Sequence, residues 1–171
     1  MSTAIVGIIL IIVIVLLVWL LVAVGSNQSK LRKQKILKEF SIIGTANNLS
    51  YTAQEILKGR VIGIDGIHRK MVVVEETDHR FSHFIIDLQE VKDCTVQKNF
   101  FTVPDKTATK EVYLKNIQLQ IENKRTPPTQ IVFYNNVQNH LYEIAELETK
   151  AKEWKGLILK FMVRHLEPVL R

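Results

Sequence analysis

Histidine is the first residue type whose spacing in this sequence could support chemistry. His79 and His83 have the i, i+4 spacing that places two metal ligands on one face of a helix. The residues around them predict a turn followed by a strand, with no HExxH motif and no cysteine nearby. We therefore expect loop histidines here and no metal site.

Carboxylates form a second candidate group, because Asp87, Glu90 and Asp93 are close in sequence. A hydrolytic pair of carboxylates needs a defined separation across a cleft. These three are instead predicted to lie on the solvent face of a hairpin. Ser82 precedes His83 but lacks the G-x-S-x-G pattern of an activated nucleophile. The sequence therefore indicates no hydrolytic site.

Nucleotide and thiol chemistry also lack a signature. The chain contains neither G-x-x-x-x-G-K-[ST] nor G-x-G-x-x-G, the motifs that cradle phosphates. The single cysteine, Cys94, lies on a predicted strand beside Asp93, whose charge disfavours a thiolate. We expect Cys94 in the core. No catalytic residue, cofactor site or metal ligand is predicted, and we expect that the protein is not an enzyme.

An apolar segment dominates the N-terminal part of the chain. Residues 4–24 (AIVGIILIIVIVLLVWLLVAV) are 21 consecutive positions without a charged or strongly polar side chain, and 17 of them are Ile, Leu or Val. A helix of this length reaches about 30 Å, the thickness of a bilayer hydrocarbon core. The sequence predicts a single-pass transmembrane helix that acts as a signal-anchor. A cleaved signal peptide is the alternative, but it would begin with a basic segment, which Met1–Thr3 lacks.

Basic residues follow this segment before the first acidic residue, Glu39. Lys and Arg beside a membrane span stay on the cytoplasmic side, so we expect the N-terminus outside and the remaining chain cytoplasmic, at the plasma (inner) membrane. Each cation contributes up to about 1 kcal/mol at an anionic membrane surface. A topology signal alone accounts for them equally well. The predicted membrane-surface contacts are Lys30, Arg32, Lys33, Lys35 and Lys38.

Net charge argues against nucleic-acid binding. The chain has 23 basic and 17 acidic residues, a net charge of +6. Residues 25–38 hold five of the basic residues and no acidic one, which leaves 18 basic against 17 acidic residues from Glu39 onward. A nucleic-acid-binding domain would carry a basic face on its folded part.

Composition divides the chain after the apolar segment. Residues 25–48 predict a basic juxtamembrane helix or linker, with a break at Gly25–Ser26 and a stop at Asn47–Asn48. Residues 49–164 predict one β-rich domain, and 165–171 a tail.

Alternation and helical spacing locate the elements of this domain. The clearest strand is 116–122, in which Ile and Leu alternate with Gln and Glu. Apolar residues from Tyr142 to about Val163 recur at helical spacing and predict an amphipathic helix. Two segments, Phe101–Lys110 and Asn123–Thr129, are predicted surface loops and candidate contact sites.

Several short strands followed by one amphipathic helix resemble a pleckstrin-homology (PH) domain. Trp154 resembles the tryptophan that such domains carry on their closing helix, and HFIIDLQEVKDCTVQKN resembles a strand-turn-strand segment of bacterial PH-like and GRAM-like domains. With GxxIGIDxxxxKxxxxE (Gly59 to Glu75), the chain also resembles uncharacterised bacterial membrane-anchored proteins. The resemblance implies an α+β fold: an N-terminal transmembrane helix, then a PH-like antiparallel β-barrel or sandwich closed by the C-terminal helix.

Three functions follow as hypotheses. The first is a binding or scaffolding module held at the cytoplasmic membrane surface, with the lipid bilayer, anionic lipid headgroups and an unidentified protein as partners. The second is an assembly subunit whose transmembrane helix packs against other helices through small residues such as Gly7 and Ala23. The third is a membrane-tethered enzyme.

Overall fold

The computed structural model describes residues 3–78, 80–104 and 110–162. Within these ranges it describes side chains except at 3–11, 17–29, 103–104 and 110. His79 and the predicted tail at 165–171 lie outside the described residues.

One long helix precedes seven strands, and a second helix follows them. The elements are α1 (Thr3–Ala46), β1 (Ala53–Leu57), β2 (Arg60–Asp65), β3 (Lys70–Thr77), β4 (Arg80–Asp87), β5 (Val91–Pro104), β6 (Lys110–Asn123), β7 (Thr129–Asn135), a 3-10 turn (Leu141–Glu143) and α2 (Ile144–Phe161). Neighbouring strands are antiparallel and form two sheets, ordered β1-β2-β3-β4 and β5-β6-β7.

The predicted barrel is wrong, because the two sheets are separate and open. Within the described residues no strand of the first sheet is hydrogen-bonded into the second. Closure into a barrel would require that pairing. The chain leaves the first sheet at Asp87 and enters the second at Val91, so no bent strand is shared between them. Helix α2 packs against β5, β6 and β7. The fold is therefore two open antiparallel sheets with helices, not a PH-like barrel.

The predicted N-terminal transmembrane helix is also wrong. Helix α1 runs without interruption from Thr3 to Ala46, with no break at Gly25–Ser26. Its described side chains are those of residues 12–16 and 30–46. In the part of the chain that the structure describes, no helix is long and apolar enough to cross a membrane. A single helix thus continues from the apolar segment through the basic residues.

The last part of α1 packs on the outer face of the first sheet. The Phe40 ring stacks on Tyr51, with centroids 4.2 Å apart. Gly63 on β2 makes room for that ring, because a Cβ at this position would overlap it. Both faces of β2 and β3 are therefore covered, which suits their nearly continuous apolar sequences. The buried residues of this outer cluster are Ile36, Phe40, Ile43, Val61, Val72 and Val74.

The main core lies between the inner faces of the two sheets and α2. Helix α2 confirms the predicted amphipathic helix and begins two residues after Tyr142. On β6 the predicted apolar face is buried as expected, although Gln118 of the opposite face is buried as well. The buried residues of α2 are Leu147, Ala151, Trp154 and Ile158.

The two predicted loops differ in outcome. The loop predicted over Asn123–Thr129 is confirmed for residues 124–128, which join β6 to β7, while Asn123 ends β6 and Thr129 begins β7. The loop predicted over Phe101–Lys110 is wrong at both ends: residues 101–104 continue β5, and Lys110 begins β6. Residues 105–109 lie outside the described part. β5 and β6 therefore form a hairpin that is longer than the β7 strand beside it.

Candidate interaction surface

A groove opens between α1, the β1–β2 turn and the segment that joins β7 to α2. Its volume is about 890 Å³, and the buried side chains of Ile36, Leu57 and Leu147 contribute its apolar lining. Acidic and basic side chains line it in equal number, so the groove has no strong preference for an anion or a cation. The charged lining residues are Arg32, Lys33, Lys58, Lys150, Glu76, Asp78, Glu143 and Glu146.

Hydrogen bonds bring several connections together at this end of the domain, which we call the groove end. The Lys58 side chain donates to the carbonyl of Gln138, which ties the β1–β2 turn to the β7–α2 segment. The amide of Glu76 donates to the carbonyl of Gly59 at 2.8 Å, which brings in the end of β3. The amide of Asn136 donates to the carbonyl of Lys115 at 3.0 Å, which brings in β6.

The predicted membrane-surface residues lie on α1 where it leaves the groove end. All five side chains are exposed: Lys30, Arg32, Lys33, Lys35 and Lys38. Only Arg32 and Lys33 of this set line the groove. Sequence analysis identified these residues but gave no sign that two of them border a concave surface.

Large apolar side chains are exposed at the groove end, and sequence analysis missed those outside the predicted contact segment Phe101–Lys110. Val137 is 87% exposed and Tyr142 is 81% exposed, on the segment between β7 and α2. The sequence did contain a signal for these exposed residues. Apolar residues occur among the polar residues of this connecting segment, which is neither a strand nor a helix that could bury them in the core. The exposed apolar residues at or beyond this end are Phe81, Phe100, Phe101, Val112, Tyr113, Val137, Leu141 and Tyr142.

The opposite end of the domain, which we call the far end, centres on a buried carboxylate. Asp65 is fully buried in the β2–β3 turn, and its Oδ2 lies 2.7 Å from Nδ1 of His68. The same carboxylate accepts backbone hydrogen bonds from Ser50, Ile67 and His68 at 2.8 to 2.9 Å. Burial raises the pKa of Asp65, but the hydrogen bonds outweigh it and hold this pKa below its ordinary value. The carboxylate is thus a structural acceptor for the turn.

The histidine and carboxylates selected from the sequence are not brought into one site. His83 is exposed on the edge strand β4. Asp87 accepts a hydrogen bond from the amide of Gln89 in a turn, and Asp93 accepts one from the amide of Cys94. Among the described residues no three His, Cys, Asp or Glu side chains gather as metal ligands would.

Cys94 is buried in the main core, as the sequence predicts. Burial, with a further contribution from Asp93, raises the pKa of its thiol to about 12. The thiol is therefore protonated at neutral pH and a poor nucleophile.

Comparison with known proteins adds no further evidence, since no family model, no curated protein and no solved structure matches this chain. The function is therefore inferred from the geometry of the groove end and of α1.

Proposed function

We propose that this protein is a non-catalytic binding module that associates with a lipid bilayer through the apolar first part of α1. The two-sheet domain is held at the membrane surface, on the cytoplasmic side, where anionic lipids attract the basic residues of α1. The groove is the place where the module holds a protein or peptide partner. This function requires contact between α1 and lipid, and it does not require that α1 span the membrane.

The observation that carries this proposal is the exposure of residues 12–16. These five consecutive apolar side chains are between 48% and 60% exposed. Five residues cover more than one turn of a helix, so every direction around the axis is apolar and uncovered. Water is an unfavourable solvent for such a surface, since each Å² of apolar area exposed costs roughly 25 cal/mol. A bilayer would cover all sides of the helix at once.

Flotation of the full chain with vesicles tests this proposal. We expect the protein to float with phosphatidylcholine vesicles, and a double variant, Ile12→Asp with Leu16→Asp, to remain at the bottom. A charged Asp side chain disfavours contact between this apolar part of the helix and lipid. The matched control is Ile42→Asp, which changes a half-exposed apolar residue on the packed part of the same helix. Flotation of the double variant at the wild-type level would contradict the proposal.

The basic residues supply a second, salt-dependent test. We expect vesicles that contain phosphatidylglycerol to bind the wild type more tightly than neutral vesicles, and added salt to remove the difference. Charge reversal at Arg32, Lys33 and Lys35 should abolish the preference and leave binding to neutral vesicles unchanged. The measurement is the bound fraction against lipid concentration. An unchanged preference in the variant would show that these cations do not contact the headgroups.

A further inference from the structure

The direction in which α1 leaves the domain can be read from its contacts. Near the C-terminal end of α1, Ser50 donates its amide to Asp65, which places that end at the far end of the domain. Arg32 and Lys33, nearly four turns before the end of α1, border the groove beside Lys58 and Gly59. The apolar first part of α1 therefore extends outward from the groove end.

The β5–β6 hairpin extends from the same end. β7 pairs with β6 only between Asn116 and Ile121. The amide of Asn136, just after β7, donates to the carbonyl of Lys115, so the groove end lies where β6 loses its β7 neighbour. Residues 100–104 of β5 and 110–114 of β6 continue beyond this point as a two-stranded arm. Five residue pairs at about 3.3 Å each give the arm a length of roughly 17 Å.

Exposed apolar side chains are concentrated on the arm and around its base. Phe101 stacks on Tyr113 across the arm, with ring centroids 5.8 Å apart, and both remain partly exposed. Val137, Leu141 and Tyr142 add exposed apolar area beside the groove. At the far end, by contrast, Ile67 at 77% is the large apolar side chain that the turn exposes. A cluster of this kind marks an interaction surface, whereas a single exposed residue does not.

We infer that the groove end is a second membrane-contact surface: the aromatic arm and Val137, Leu141 and Tyr142 lie in the headgroup region of the bilayer that binds α1. This inference rests on the proposed function. The occupant is lipid because the surface faces the direction in which the apolar part of α1 extends. Arg32 and Lys33 line the groove beside this surface, and Lys30 and Lys35 are exposed on the same helix, where they can contact anionic headgroups. Aromatic rings together with Lys and Arg are the composition favoured at membrane interfaces.

Acidic side chains at this end are held in local hydrogen bonds. Glu143 accepts a hydrogen bond from the amide of His140 at 2.6 Å, and Glu111 accepts one from the Tyr113 hydroxyl. Two attachments, α1 and the groove end, would fix the orientation of the domain and leave the groove open at the level of the lipid headgroups.

Site-directed fluorescence on the full chain tests the inference. Single cysteines are introduced as Val137→Cys, Tyr142→Cys and, as the matched control, Ile67→Cys, and they are labelled with the polarity-sensitive probe NBD. Cys94 is buried in the folded protein, so we expect the label to react with the introduced cysteine and not with Cys94. All three positions are highly exposed, so labelling leaves the core unchanged. On phosphatidylcholine–phosphatidylglycerol vesicles we expect blue-shifted emission and several-fold weaker quenching by iodide at 137 and 142 than at 67. Lipids with a nitroxide near the headgroup should quench the first two probes selectively.

The outcomes separate the inference from the proposed function. If the labelled chains float but the probes at 137 and 142 are quenched by iodide as strongly as the probe at 67, the inference is overturned and the proposed function stands. If the chains do not float, the proposed function itself fails. Protection from iodide that disappears when the protein is diluted in excess lipid would indicate a second copy of the chain and would also overturn the inference.

Discussion

At the scale of single residues, Asp65 and Cys94 show how burial acts in opposite ways on two acidic groups. The Asp65 carboxylate has four hydrogen-bond donors around it, which stabilise its charged form although burial opposes that charge. The Cys94 thiol lies among apolar core residues, and burial favours its neutral form more than the nearby charge of Lys155 favours the thiolate. Each group therefore links folding stability to pH in its own range.

Replacement of Asp65 by Asn should destabilise the fold at neutral pH. The Asn side chain keeps one acceptor oxygen but presents an N–H₂ group to the other donors, so buried hydrogen bonds are lost at a cost of about 2 kcal/mol or more. Because the folded-state pKa of Asp65 is lowered, its contribution is present above its ordinary value of 3.8 and is lost as the pH falls below it. Urea denaturation across this acidic range measures the difference between wild type and variant, which should shrink as the pH falls. A constant difference would contradict the prediction.

Cys94 should govern part of the alkaline stability. Its pKa rises from 9.0 to about 12 on folding, so its contribution is fully present below pH 9.0 and is lost as the pH rises toward 12. We expect the wild type to lose more stability than Cys94→Ala when urea midpoints at neutral pH and at an alkaline pH between these values are compared. At neutral pH the variant should be less stable, because it leaves a cavity in the core. In the wild type, a thiol reagent should react rapidly only when urea unfolds the chain.

At the scale of elements, the attachment of α1 to the first sheet is the contact that the sequence only partly predicts. Helical spacing of Leu37, Phe40, Ile43 and Gly44 predicts a helix with an apolar face. It does not say which surface that face covers. The apolar sequences of β2 and β3 indicate that such a surface exists, because strands that are apolar on both sides need cover on both faces of the sheet. The sequence does not say whether α1 or α2 supplies that cover.

The arm of the β5–β6 hairpin could not be recognised from the sequence for a related reason. Phe101 to Pro104 precede a polar segment and include proline, so a surface loop was the natural prediction. In the structure these residues pair with β6 from Lys110 to Tyr113, and Phe101, Thr102, Val112 and Tyr113 are exposed. The pattern of apolar and polar residues predicts which residues the domain buries. It therefore fails where a strand is built from apolar residues that the domain leaves exposed.

Removal of the Phe40 ring should loosen α1 from the sheet. The ring is 3% exposed and contacts Tyr51 and the β2 backbone at Gly63, so Phe40→Ala should cost about 3 to 5 kcal/mol. Ile42→Ala, a half-exposed residue two positions along the helix, is the matched control and should change stability by less than about 0.5 kcal/mol. The free energy of unfolding, followed by tryptophan emission to which buried Trp154 contributes, measures both. Equal effects of the two variants would show that α1 does not pack on the sheet as described.

At the scale of the whole molecule, the continuity of α1 connects the proposed lipid contact to the domain. The helix is one element from Thr3 to Ala46, anchored on the sheet at one end and apolar at the other. A stiff connection lets the bilayer impose an orientation on the domain, whereas a flexible linker would let the domain rotate freely. The groove end can stay in contact with the membrane surface only if the connection through α1 is stiff.

Interruption of α1 between its two attachments should therefore separate binding from orientation. Gln34 is exposed, and Gln34→Pro removes a hydrogen bond from the helix and kinks it at a cost of about 3 kcal/mol, without touching the residues that contact the sheet. We expect vesicle flotation to remain at the wild-type level, because residues 4–24 are unchanged. The NBD probe at position 137 should become several-fold more accessible to iodide, since the domain no longer holds the groove end against the lipid. Gln34→Ala, which preserves the helix, should behave as wild type in both measurements. Unchanged protection in the proline variant would mean that the groove end binds lipid without help from α1, and the helix would then act as a tether only.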